Sequence, residues 1–189
     1  MRILWDFDGT LFDTYPAFTK VMKQLVPSHI KEEDILKELK VSFHHATEVF
    51  QLSEEQVMEF RELDNTLSPN DKPPFEGLEN VLKSAKMNVI MTHKPREEAI
   101  TILKHFNMEH YFAELVAGDD GYPRKPDPAS YHYLNNKYNL DLAVGDRVLD
   151  ILPAKEVGMK TCLFQNNSPG ADMYVTNYDD LEQMLWPSN

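Results

Sequence analysis

The 189 residues carry 31 acidic against 19 basic side chains, a formal net charge of −12 with a pI near 4.9. That balance argues against a general nucleic-acid or anionic-membrane surface, yet it allows an anionic small molecule held by a local cation and a few lysines. The length supports one substantial core or a core with a small second domain, 42% of residues are hydrophobic, and no apolar stretch approaches membrane-spanning length.

In chain order, the first predicted element is a strand over Ile3–Phe7, with no signal-peptide-like segment ahead of it. It runs into Asp6-Phe7-Asp8-Gly9-Thr10. Residues two apart in a strand point to the same face, so Asp6 and Asp8 are expected side by side where the chain turns at Gly9. Two carboxylates so close repel unless a cation or a shared proton compensates. The alternative is a plain Asx-Gly turn with solvated aspartates.

From about Thr14 to Leu67 there is no strand signal. Phe18/Val21/Met22/Leu25, Phe43/Ala46/Phe50 and Val57/Phe60/Leu63/Leu67 repeat with helical spacing, and the segment ends in the proline-rich break Ser68 to Pro74. Beyond it, strands are predicted over Val89–Thr92, Glu114–Ala117, Leu142–Gly145 and Thr161–Phe164. Between them lie the helical stripes Leu78/Val81/Leu82/Ala85 and Ala99/Ile102/Leu103/Phe106, and a helix start with Asp127 as N-cap and Pro128 at its first position. This rhythm predicts an α/β fold: a Rossmann-like parallel sheet core of about five strands over residues 1–14 and 75–189, with an inserted α-helical subdomain over 15–74. Cys162, the single cysteine, falls in an apolar strand and reads as core; with no intramolecular disulfide possible, a reducing, cytoplasmic setting is expected.

Ligands of open α/β sheets bind beyond the carboxyl ends of the strands. Those ends carry Asp6 and Asp8; Thr92, His93 and Lys94; Arg124 to Pro128 with Lys125; and Gly145-Asp146 with Asp150 four residues on. Carboxylates, a hydroxyl and lysines gathered on one edge suit Mg²⁺ and a phosphoryl group. The seven histidines form no pair at convincing zinc spacing, and there is neither a GxGxxG nor a GxxxxGK[ST] loop. Asp119 and Asp120 read as turn residues, and His93 and Lys94 either as substrate contacts at the edge of the cleft or as a solvated loop.

Four segments, Asp6-Phe7-Asp8-Gly9-Thr10, Val89-Ile90-Met91-Thr92, Lys125-Pro126 and Gly145-Asp146-Arg147-Val148-Leu149-Asp150, resemble in order the motifs of the haloacid dehalogenase superfamily. The helical insertion resembles that superfamily's α-helical cap, and the nearest branch is the phosphoglycolate-phosphatase-like one. The resemblance implies Asp6 as nucleophile forming an aspartyl-phosphate, and Asp8 as the acid that protonates the leaving oxygen and then activates water. It implies Thr92 and Lys125 as phosphoryl-binding groups. Mg²⁺ would be held by the Asp6 carboxylate, the Asp8 backbone carbonyl and Asp146, with Asp150 acting one step back through water or by orienting Lys125. Dehalogenases of the superfamily lack the second aspartate, so Asp8 favours a phosphatase of a small phosphorylated metabolite, phosphoglycolate or a sugar phosphate. The rivals are a phosphosugar phosphomutase and a non-enzymatic regulatory protein with a degenerate site. A monomer or weak homodimer without nucleic-acid or membrane partners is expected, and the cap is expected to close over the cleft about the proline-rich hinge.

Overall fold

The computed structural model describes residues 1–187. It divides into two compact units, one built from Met1–Phe12 with the chain from Pro74 on, the other from Asp13–Pro73.

The first unit is built on a parallel sheet of strands β1 (Arg2–Trp5), β2 (Met87–Met91), β3 (Phe112–Val116), β4 (Leu142–Gly145), β5 (Lys160–Phe164) and β6 (Met173–Val175), in the order β3-β2-β1-β4-β5-β6. The sheet thus has one strand more than the sequence suggests. β6 is three residues long, too short for any periodicity to show, and adds to the edge by pairing Cys162 with Met173 and Phe164 with Val175. Alternate residues of each strand feed two cores, as a sheet covered on both faces requires. Ile3, Trp5, Ile90, Val144, Cys162 and Phe164 pack with helices α5 (Leu78–Ser84), α6 (Arg96–His105) and α9 (Tyr178–Leu185). Leu4, Val89, Met91 and Ala143 pack with α7 (Ala129–Tyr138) and α8 (Val148–Glu156). Asn88 and Thr161 are polar side chains buried in this layer, and each is satisfied: Asn88 accepts from Trp5 Nε1 at 2.9 Å and donates to the Leu82 carbonyl at 3.0 Å, and Thr161 Oγ1 donates to Asp172 Oδ2 at 2.7 Å.

α7 begins one residue later than expected, at Ala129, with Pro128 as its N-cap. Asp127 still serves the first turn, because its Oδ1 accepts the Ala129 amide at 2.9 Å. Cys162 is fully buried, and burial pushes its thiol up to about 12.

The second unit is helical: α1 (Tyr15–Leu25), α2 (Glu32–Val41), α3 (Phe43–Val49) and α4 (Glu54–Thr66). They close on Val21, Met22, Ile35, Leu39, Ala46 and Phe60. Only Ile35 and Leu39 of α2 are buried, a two-residue stripe that explains why this helix is faint in the sequence. Ser42 is the N-cap of α3, accepting the His45 amide. The proline-rich segment is itself folded: Pro69–Asp71 makes a 3-10 turn capped by Ser68, and Lys72 is buried on Asp64 at 2.6 Å. The Asp13 amide donates to the Pro73 carbonyl at 2.8 Å, tying the two ends of the unit together. Among the described residues, no helix is long and apolar enough to cross a membrane.

Candidate active site

β1 and β4 are neighbours at the centre of the sheet, where the chain order reverses, and each ends in an aspartate. The Asp6 amide donates to the Val144 carbonyl at 2.9 Å, so Asp6 and Asp146 leave the sheet side by side. Both are buried. The strand stops at Trp5, however, and Asp8 does not share a strand face with Asp6. Pairing ends at Trp5↔Val144, after which the amides of Thr10, Leu11 and Phe12 all turn back onto the Phe7 carbonyl, with Gly9 at φ 77°. A left-handed residue at the bend is why glycine stands there.

Asp6 meets its cation directly. Lys125 Nζ lies 2.6 Å from Asp6 Oδ1 and 2.8 Å from Asp150 Oδ1, all three side chains buried. Thr10 Oγ1 sits 3.4 Å from Asp6 Oδ2. The other oxygen of Asp150 accepts the Arg147 amide at 3.0 Å, so Asp150 both opens α8 and holds Lys125. This approach depends on Gly145: a Cβ there would lie 2.3 Å from Asp150 Cβ. Arg147, to which the sequence reading gives no role, adds a second cation, 3.7 Å from Asp6 Oδ1, 3.6 Å from Asp146 Oδ1 and 3.6 Å from Asp150 Oδ2.

These charges push the carboxyls apart. Burial, then the negative charge of Asp150, raises the Asp6 carboxyl above its ordinary range despite Lys125 and Arg147. Burial would raise Asp150 too, but Lys125 and Arg147 outweigh it and hold that carboxyl below the ordinary range. Lys125 is carried above an ordinary lysine because Asp150 and Asp6 overcome the effect of burial.

The end of β2 supplies the remaining candidates. Thr92 is buried, its amide bound to the Val116 carbonyl, and its Oγ1 accepts the Lys94 amide at 3.1 Å, which leaves the hydroxyl proton to donate elsewhere. His93 Nε2 accepts the Lys125 amide at 2.8 Å. It is the acceptor nitrogen of a neutral ring, since burial and the nearby Lys125, Arg124 and Arg147 depress it to about 3. The ring thus fixes the backbone of Lys125. The loop is pinned from the other side as well: a Cβ on Gly118 would lie 2.2 Å from the His93 carbonyl oxygen. Lys94 is buried, with Nζ 3.3 Å from Asp8 Oδ1. Asp119 and Asp120 are spent on Arg96, Asp119 accepting its amide and Asp120 its guanidinium at 2.5 and 3.1 Å.

The structure therefore brings Asp6, Asp146, Asp150 and Lys125 into one buried cluster and holds the Asp8 side chain on Lys94. Arg147 is the residue the sequence left without a role, and Lys94, expected with His93 as a substrate contact, is instead buried on Asp8. Arg147 stands inside the quoted Gly145–Asp150 segment, and Lys94 two residues past Thr92, so each had a positional signal. Carboxylate oxygens of Asp6, Asp146 and Asp150 lie within 4.8 Å of one another. An all-oxygen, buried donor set with three acids facing two cations fits a hard divalent ion, with no soft ligand to favour zinc or copper.

A family model described as haloacid dehalogenase-like hydrolase matches residues 3–164. The pyrophosphatase PpaX of Halalkalibacterium halodurans is 28% identical over 193 residues, covering 94% of this chain and 88% of the relative. The phosphoglycolate phosphatase of Pasteurella multocida is 32% identical over 130 residues, covering 64% of this chain and only 57% of the relative. Among solved structures, a hydrolase from Streptococcus pneumoniae TIGR4 superposes with a TM-score of 0.67 at 26% identity, over 97% of each chain.

Proposed function

Since the chain belongs to the haloacid dehalogenase-like hydrolase family, we propose that it is a Mg²⁺-dependent phosphatase that hydrolyses a small phosphate monoester through a phosphorylated Asp6. The observation that carries this reading is the buried Asp6, held at 2.6 Å by Lys125 at the mouth of the β1–β4 junction beside Asp146.

Asp6 and Asp146 carboxylates and the Asp8 backbone carbonyl would hold the ion, with Asp150 supporting from behind through Lys125. When bound, Mg²⁺ supplies positive charge that offsets the repulsion between an attacking carboxylate and a phosphate dianion. The Asp6 carboxylate adds to phosphorus as the ester P–O bond breaks, and the protonated Asp8 carboxyl gives its proton to the departing oxygen, releasing an alcohol. Asp8, now a carboxylate, takes a proton from water as that water attacks phosphorus. The Asp6–phosphorus bond breaks, inorganic phosphate leaves, and both aspartates return to their starting states. Lys125 and the Thr92 hydroxyl bind the phosphoryl oxygens throughout. His93 serves by fixing the Lys125 backbone. The helical unit Asp13–Pro73 is read as the cap that chooses the leaving group, a role implied by the resemblance of the insertion to known caps.

Two relatives are named for pyrophosphate and for phosphoglycolate. Both are compact anions, and a small acid phosphate is the substrate class we favour. A panel of small phosphate monoesters and pyrophosphate, assayed with and without Mg²⁺, tests the reading. Metal-dependent phosphate release from at least one compound is expected. No release from any would refute it, and isomer formation without release would replace it by phosphomutase chemistry.

A further inference from the structure

Lys94 is an unusual lysine. Only 3% of its side-chain surface is exposed, although it stands on a loop just past a strand end. Burying an ammonium is costly unless carboxylates receive it. Two do: Asp8 Oδ1 at 3.3 Å and Glu98 Oε2 at 3.6 Å, one turn into α6, while the face of the Phe7 ring lies 6.0 Å below. The backbone on which it stands is fixed at both ends, its amide held by Thr92 Oγ1 and its carbonyl accepting the Gly118 amide at 2.9 Å. Phe7, directly between Asp6 and Asp8, is itself buried and stacked on Phe12 with ring centroids 4.7 Å apart.

The consequence falls on Asp8. Its Oδ1 is sealed from solvent, whereas 21% of its side chain is exposed, so the accessible part of the carboxyl group is not the oxygen facing Lys94. A carboxyl group that must carry a proton to a leaving oxygen needs one oxygen presented and one restrained. A misplacement of about 1 Å can cost such a group on the order of 10²-fold in rate.

Building on the phosphatase reading above, we propose that Lys94 is a positioning residue for proton transfer: it anchors Asp8 Oδ1 so that Oδ2 is the oxygen offered to the leaving group. Lys94 does not touch the substrate in this account. In the first step its influence is felt only where the leaving group needs a proton, so the release of the alcohol is followed, before Asp8 acts on water.

The test compares two esters in single turnover at saturating Mg²⁺: p-nitrophenyl phosphate, whose phenolate leaves without help, and 2-phenylethyl phosphate, whose alkoxide does not. General acid catalysis contributes on the order of 10²–10⁴-fold. Lys94→Met should therefore slow release of phenylethanol by about 30-fold or more and release of nitrophenol by less than about 3-fold, with KM for both esters nearly unchanged. Lys94→Arg, which keeps a cation, should recover most of the alkyl rate. Lys94→Gln, measured alongside with thermal melting of all variants, gives the same comparison if Lys94→Met fails to fold. Equal slowing of both esters, or no slowing of either, would overturn the positioning role while leaving the phosphatase reading intact. Failure of the wild-type protein to release either alcohol would instead strike at the phosphatase reading itself.

Discussion

Lys125 is shared: its ammonium bridges Asp6 at 2.6 Å and Asp150 at 2.8 Å, and all three groups are buried. The bridge makes one lysine responsible both for neutralising a buried pair of acids and for presenting a cation at the proposed nucleophile. Removing one partner from a buried ion pair costs about 3–5 kcal/mol, because the other charge is left uncompensated. Lys125→Met is therefore expected to lower the unfolding free energy by roughly that amount, with Arg147 moderating the loss, and to abolish turnover. Chemical denaturation beside a phosphate-release assay checks both. Full stability in the variant would mean the bridge does not hold in solution.

Asp6→Asn separates chemistry from folding in the opposite sense. Burial and Asp150 raise the Asp6 carboxyl, so its surroundings disfavour the charged form. An uncharged isostere is expected to leave the metal-free protein at least as stable as wild type while turnover falls by about 10³-fold or more. A thermal melt and a rate measurement decide it. Near-wild-type turnover would remove Asp6 from the nucleophile role.

The identity of these two residues was legible because chemistry at a strand end is local in sequence. Asp6, Thr92 and Asp146 each follow an apolar run that had to be a strand, Lys125 lies on the loop that leaves β3, and parallel topology then brings such ends to one edge. What was illegible is what depends on side-chain direction. Nothing in Thr92-His93-Lys94 says that the histidine turns to the Lys125 amide or that the lysine goes inward. The expected pairing of Asp6 and Asp8 on one strand face failed for the same reason, since where β1 stops is set by its partner β4 and by three amides converging on the Phe7 carbonyl. β6 and α2 escaped notice because three residues and a two-residue stripe carry no period.

His93 makes a pH prediction. Its folded-state value is depressed to about 3, whereas an unfolded histidine titrates near ~6.5. Between those values the unfolded chain binds a proton that the folded chain refuses, so His93 costs stability as the pH falls from about 6.5 towards 3. His93→Gln, which can still accept the Lys125 amide but cannot titrate, should flatten the slope of unfolding free energy against pH over that window by up to ~1.4 kcal/mol per pH unit. Denaturation curves at pH 4.5, 5.5 and 6.5 measure it; an unchanged slope would show that His93 is protonated in the folded protein.

Arg147 contacts the same three carboxylates that fit the metal, at 3.6–3.7 Å. Two cations drawn to one set of acids oppose each other. Arg147→Met is therefore expected to tighten Mg²⁺ binding by about tenfold, ~1.4 kcal/mol, and Asp146→Asn to weaken it. Isothermal titration of each variant with Mg²⁺ reads this without any turnover. Weaker binding in Arg147→Met would mean that the arginine orients the ligands and does not compete with the ion.

The most direct test of the central claim is to trap the phosphorylated carboxylate. The enzyme is quenched during turnover of p-nitrophenyl phosphate with Mg²⁺, reduced with borohydride, and its peptides are weighed. An acyl phosphate is reduced to a primary alcohol while a free carboxylate is untouched. The account predicts that the peptide carrying Asp6 shows that reduction, and that the Asp8, Asp146 and Asp150 carboxyls do not. Continued phosphate release with an unmodified Asp6 peptide would contradict it.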